Sequence, residues 1–155
     1  MIVADGSSPA EPFVPVPVRV LLAAYAATLA VTGGWAAAFP RSFYDDFPGF
    51  GRVWVAVDGP FNEHLVRDVG TLTLAQATLV AVAAAAGTWR LVAVASAVAL
   101  VNAVPHLVYH LANLAGLETP DVVSSIASLT AAVVVPLGVL GWLVRWLRQD
   151  QRRRA

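Results

Sequence analysis

Four apolar runs constrain this chain more than any other feature, over residues 17–39, 64–89, 90–117 and 121–146. A helix rises about 1.5 Å per residue, so each run is long enough to cross a hydrocarbon core of about 30 Å. Of the 155 residues, 58% are hydrophobic and 13% are charged, where a soluble domain carries about 25% charged residues. So short a chain cannot bury that much apolar surface in a core of its own, and the excess must face lipid. The fold expected is all-α, an integral membrane four-helix bundle in a lipid bilayer.

The segments between the runs have their own character. Residues 1–16 contain Pro, Gly, Ser, Asp5 and Glu11 without apolar periodicity, and read as a disordered tail. The first run ends in "WAAAF", whose Ala36 and Ala38 resemble a signal-peptidase site. The run is too long for a signal peptide, and Arg19 is the only basic residue at its N-terminal end, so it is read as a retained span. Residues 40–60, "PRSFYDDFPGFGRVWVAVDG", form a connector rich in the aromatic residues that settle at membrane interfaces. Its "GFG" is read as a turn, being too short for a phosphate loop. A helix is predicted from Pro60, with Glu63 in its first turn. "GTWR" and "ETPD" are predicted turns. The membrane domain thus spans 17–147, and 148–155 is a basic tail.

Four spans put both termini on one side. Arg145, Arg148, Arg152, Arg153 and Arg154 make that side cytoplasmic by the positive-inside rule, with the plasma membrane as the expected location. All ten basic residues are arginine, which with the abundant Ala and Val suggests a GC-rich bacterial genome. The formal net charge is zero, which excludes nucleic acid as a partner on electrostatic grounds. No cysteine is present, so disulfides and thiolate chemistry are excluded. No P-loop, no Ser-His-Asp order and no internal repeat is visible.

Polar residues inside the third run are the candidate site. Asn102, His106, Tyr109, His110 and Asn113 share one helical stripe about 100° wide. Such groups are costly against lipid and must face the bundle. Pro105 removes a backbone donor in the same stretch. Counted from Arg90, His106 lies about 24 Å along the helix and His110 about 30 Å. Counted from Trp89 along the second run, Asp68 lies at about 31 Å, with His64 one turn beyond. All three histidines are therefore expected at one level. Glu63 with Arg67, and His64 with Asp68, are i,i+4 pairs.

Three readings fit this set. Three imidazoles, His64, His106 and His110, suit a metal such as Zn, Cu, Ni or Fe, or a haem. Histidines and carboxylates near a membrane boundary also suit a proton site or a quinone-like ligand. Otherwise the polar groups brace helices by hydrogen bonding. Elsewhere, Tyr25, Thr28, Thr32 and Trp35 form a packing stripe, and Gly33 and Gly34 permit close helix approach. Ser124, Ser125 and Ser128 are expected to bond to neighbours or to their own backbone. Pro136 is expected to kink its helix, and Trp142 and Trp146 to mark an interface. Gln76 lies off the His64 side of its helix and is left out of the site.

Four short spans, a long first connector with aromatic and Pro-Gly content, and a polar third helix together resemble the DoxX-like group of small bacterial membrane proteins. The resemblance covers most of the chain as architecture and carries over no individual residue. It implies a four-helix membrane protein associated with redox or quinone-linked systems. Three function classes follow: a ligand-binding redox-accessory protein, a metal- or haem-binding protein or enzyme, and a structural subunit with a membrane protein partner or a second copy of itself.

Overall fold

In a computed structural model, which describes residues 13–154, the chain is all-α apart from one small hairpin. Helices α1 (Val16–Ala38), α2 (Pro40–Asp46), α3 (Glu63–Ala86), α4 (Trp89–Ala112) and α5 (Thr119–Arg154) follow in order. Strands β1 (Pro48–Gly49) and β2 (Arg52–Val53) pair antiparallel between α2 and α3. Four of the helices, α1, α3, α4 and α5, are long and apolar enough to cross a membrane, the pattern of a multi-pass membrane protein.

Local chemistry sets the helix ends. The α3 helix starts at Glu63, three residues past the expected Pro60, because the Asn62 side chain caps it by accepting from the Leu65 amide at 3.1 Å. It stops where Gly87 adopts a left-handed φ of 67° and its N–H returns to the Ala83 carbonyl. The α4 helix ends at Ala112, five residues before the expected Leu117, where Asn113 caps it. The α5 helix runs on through the expected tail to Arg154, since its Arg, Gln and Leu residues favour helix and nothing there breaks it. Part of the expected N-terminal tail is also ordered. Phe13 bridges Thr88, the Val14 N–H donates to the Gly87 carbonyl, and Val14 is buried; residues 1–12 lie outside the described residues.

The helices pack as two close pairs, α1 on α3 and α4 on α5, with a narrower contact between α3 and α4. Small residues bring α1 and α3 together: a Cβ added to Gly33 would meet the Gly70 carbonyl oxygen at 2.8 Å. Gly34 faces open space instead. The main core lies at the end holding the α3–α4 turn, around Leu22, Val80, Val92, Val139 and Leu143. Trp142 and Trp146 stack there at 5.3 Å. Pro136 cannot donate to the Ala132 carbonyl four residues earlier. Tyr25 of α1 donates to that oxygen instead, at 3.2 Å.

The connector closes the opposite end. Trp35, Phe43, Phe47 and Trp54 meet edge to face or tilted, with ring centroids 4.7–6.0 Å apart. Arg52 and the Trp54 indole both donate to Asp121 at the start of α5, at 2.5 and 2.8 Å. The "GFG" stretch is the hairpin tip, where Gly49, Phe50 and Gly51 all have positive φ and Phe50 is fully exposed.

Candidate functional site

The polar stripe of α4 continues the helix's packed face. Val92, Ala95, Ser96, Ala99 and Ala103 are buried. At about 100° per residue, His106 and His110 fall within about 60° of Ala103 and so share its side of the helix. Above Ala103 the neighbouring helices no longer cover that side, and Asn102, His106 and Tyr109 are exposed while His110 is half-buried. The result is an exposed polar face of α4 toward the connector end.

Its parts are connected. The His106 and His110 Nε2 atoms lie 3.1 Å apart, within hydrogen-bond reach, so one ring donates and the other accepts. Tyr109 sets its ring edge-on to His110 at 5.4 Å. One turn below, the Asn102 Nδ2 donates to the Gln76 Oε1 at 3.0 Å. Gln76 is 7% exposed, and its Nε2 has no partner among the described residues. A buried amide donor without an acceptor costs about 1–3 kcal/mol. From the connector, Asp58 in the single turn Ala56–Asp58 is near enough to interact electrostatically with His106.

The remaining expected residues are placed elsewhere. Asn113 donates to the Tyr109 carbonyl at 2.8 Å and closes the end of α4. Arg67 pairs with Glu63 at 2.9 Å and also donates to the Ala37 carbonyl at 2.5 Å, so it ties α3 to the end of α1. His64 lies 3.2 Å from Asp68, with a side chain 88% exposed.

The three-histidine set is not assembled, and among the described residues no group of three His, Asp or Glu side chains is placed to hold a metal. The physical reason is rotational. The buried residues of α3, including Val66, Ala77 and Val80, lie about 160–220° around the helix from His64. Equal depth therefore does not bring His64 to the α4 pair. Gln76, excluded for lying off the His64 side, is about 120° around the helix from it and meets Asn102 of α4. A signal for it existed: a lone amide in the middle of an apolar run must face other helices. Nothing in the sequence pointed to Asp58, because its position depends on how the connector folds.

Comparison of the chain with protein-family models, with curated proteins and with solved structures gave no match. What this polar face can do therefore rests on its own chemistry. It offers an amide pair between α3 and α4, two hydrogen-bonded imidazoles one turn and more beyond it, and a carboxylate within electrostatic reach.

Proposed function

We propose that this chain is a multi-pass plasma-membrane protein whose polar α4 face, with Gln76 of α3, binds a small lipophilic molecule with a hydrogen-bonding head of the quinone type. In this reading it serves as an accessory to a membrane redox system, in keeping with the DoxX-like resemblance. The observation that carries the reading is Gln76, whose buried Nε2 lacks an acceptor while its Oε1 is held by Asn102. A ligand carbonyl would supply that acceptor, and the His106–His110 pair can donate to or accept from a second oxygen. The exposed histidine pair lies toward the end where such a head would meet the bilayer boundary. A zinc-type metal site is favoured less, because two imidazoles fall short of the three protein ligands such a site uses.

Orientation belongs to the same proposal. Both termini lie in the cytoplasm, and the histidine pair lies toward the outer side.

The test is photolabelling of the protein in lipid nanodiscs with an azido-quinone, competed by the unmodified quinone. Gln76→Ala and His106→Ala should each cut competed labelling by about ten-fold, the loss of one or two hydrogen bonds in an apolar site. His64→Ala should leave it unchanged. Labelling that the free quinone does not compete, or that survives the Gln76→Ala/His106→Ala double change, sinks the reading.

A further inference from the structure

A groove lies across α3 from the Gln76–Asn102 pair. It is an open groove of about 690 Å³ between α1 and α3, walled by small and apolar residues that include Ala23, Ala27 and Ala30 on one side and Thr78 and Ala81 on the other. Arg19 closes one end of it. The Arg19 Nε and Nη2 donate to the Ala84 and Ala85 carbonyls, both at 2.8 Å. These are among the last carbonyls of α3, which lack partners within their own helix. The guanidinium is thus held across the groove's mouth, and no carboxylate among the described residues forms an ion pair with it.

We propose that this groove is a binding site for one anionic phospholipid, with an acyl chain along the alanine walls and the phosphate at Arg19. Dimensions support that occupant. From Arg19 to Ala30 is about 16 Å of helix, and one leaflet of hydrocarbon is about 15 Å deep. Charge supports it as well. Arg19 shares its end of the molecule with Arg90, Arg145 and Arg148, and basic pockets between spanning helices attract anionic headgroups. The walls are smooth because alanine presents only a methyl group. A flexible chain can lie there without displacing a side chain, and it would cover apolar surface that the helices leave open. The groove uses a different side of α3 from Gln76, and among the described residues none of its side chains hydrogen-bonds to Gln76 or to the α4 stripe.

Native mass spectrometry of the full chain, released from a neutral detergent after mixing with phosphatidylglycerol or phosphatidylcholine, tests it. The protein should retain one phosphatidylglycerol about ten-fold more strongly than phosphatidylcholine, the scale of one charge-assisted contact. Arg19→Gln should abolish that preference. Because Arg19 also ties α1 to α3, Ala27→Trp provides a second variant that leaves Arg19 and its carbonyl bonds in place. It fills the groove and should remove retention of both lipids. Equal retention of the two lipids by the unaltered protein overturns the proposal. So does lipid retention by Ala27→Trp at the unaltered level. Displacement of the lipid by inorganic phosphate alone would overturn the acyl-chain part. A dimer that Ala27→Trp dissolves would assign the groove to a second copy of the chain and overturn the lipid.

Discussion

Gly33 and Gly70 set how closely α1 and α3 approach. A Cβ on Gly70 would lie 2.4 Å from the Ala37 amide nitrogen and 2.9 Å from the Ala36 carbonyl carbon. Those atoms are backbone and cannot swing away, so the helices would have to part. Gly70→Ala should therefore destabilise the protein by about 1–3 kcal/mol, the cost of overpacking a tight contact. Gly34→Ala makes the same chemical change where nothing lies within 4 Å. It should be neutral or stabilise by up to about 1 kcal/mol, because alanine orders more readily in a helix. Thermal unfolding in detergent compares the two, and equal effects would mean that the seam is looser than described. Only half of this was legible in the sequence. The pair "GG" marks a place where a close approach is allowed, but which glycine faces the partner depends on the rotation of α1. Gly70 carries no local signal at all, since it lies in a polar turn of residues, "RDVGTLT".

At the scale of elements, α3 is where expectation and structure part. Its existence and length follow from an apolar run, and its first-turn Glu63 and capping Asn62 obey ordinary end chemistry. Its rotation does not follow from them. Depth along the axis counts residues, and a sequence gives that directly. Azimuth about the axis needs the neighbours, and the glycine contact with α1 fixes it. With α3 set that way, Gln76 meets Asn102 and the His64–Asp68 pair looks outward. The i,i+4 histidine pair of α4 was legible, because both members sit on one helix and need no partner to be neighbours. A double-mutant cycle separates the two situations. His64→Ala and His106→Ala should lower the unfolding free energy additively, within about 0.5 kcal/mol, since they share no contact. His106→Ala and His110→Ala should couple by more than about 0.5 kcal/mol, since each removes the other's hydrogen-bond partner. Coupling between His64 and His106 would restore the three-histidine site.

For the whole molecule, the four long helices alternate in direction, so the connector and the α4–α5 turn share one end while the α3–α4 turn and the C-terminus share the other. The ten arginines divide unevenly between these ends. Arg41, Arg52 and Arg67 lie at the connector end; Arg19, Arg90, Arg145, Arg148, Arg152, Arg153 and Arg154 lie at the other. The three at the connector end each have a carboxylate within reach: Asp45 at 2.6 Å, Asp121 at 2.5 Å and Glu63 at 2.9 Å. They act as ties within and between elements. The excess of arginine near the ends of the spans at the other side is the asymmetry that holds a membrane protein's cytoplasmic face in place. The proposed orientation is therefore open to a clean test, because the sequence has no cysteine to interfere. Phe50, fully exposed at the hairpin tip, can be replaced by cysteine without removing a packed side chain. Thr119 is exposed at the same end and Gln151 at the other. In intact cells an impermeant maleimide should label Phe50→Cys and Thr119→Cys, and should reach Gln151→Cys only after the cells are opened. Labelling of Gln151→Cys alone in intact cells would invert the molecule and turn the histidine pair toward the cytoplasm. Labelling of all three would mean that both orientations are inserted, and the arginine asymmetry would then be too weak to choose between them.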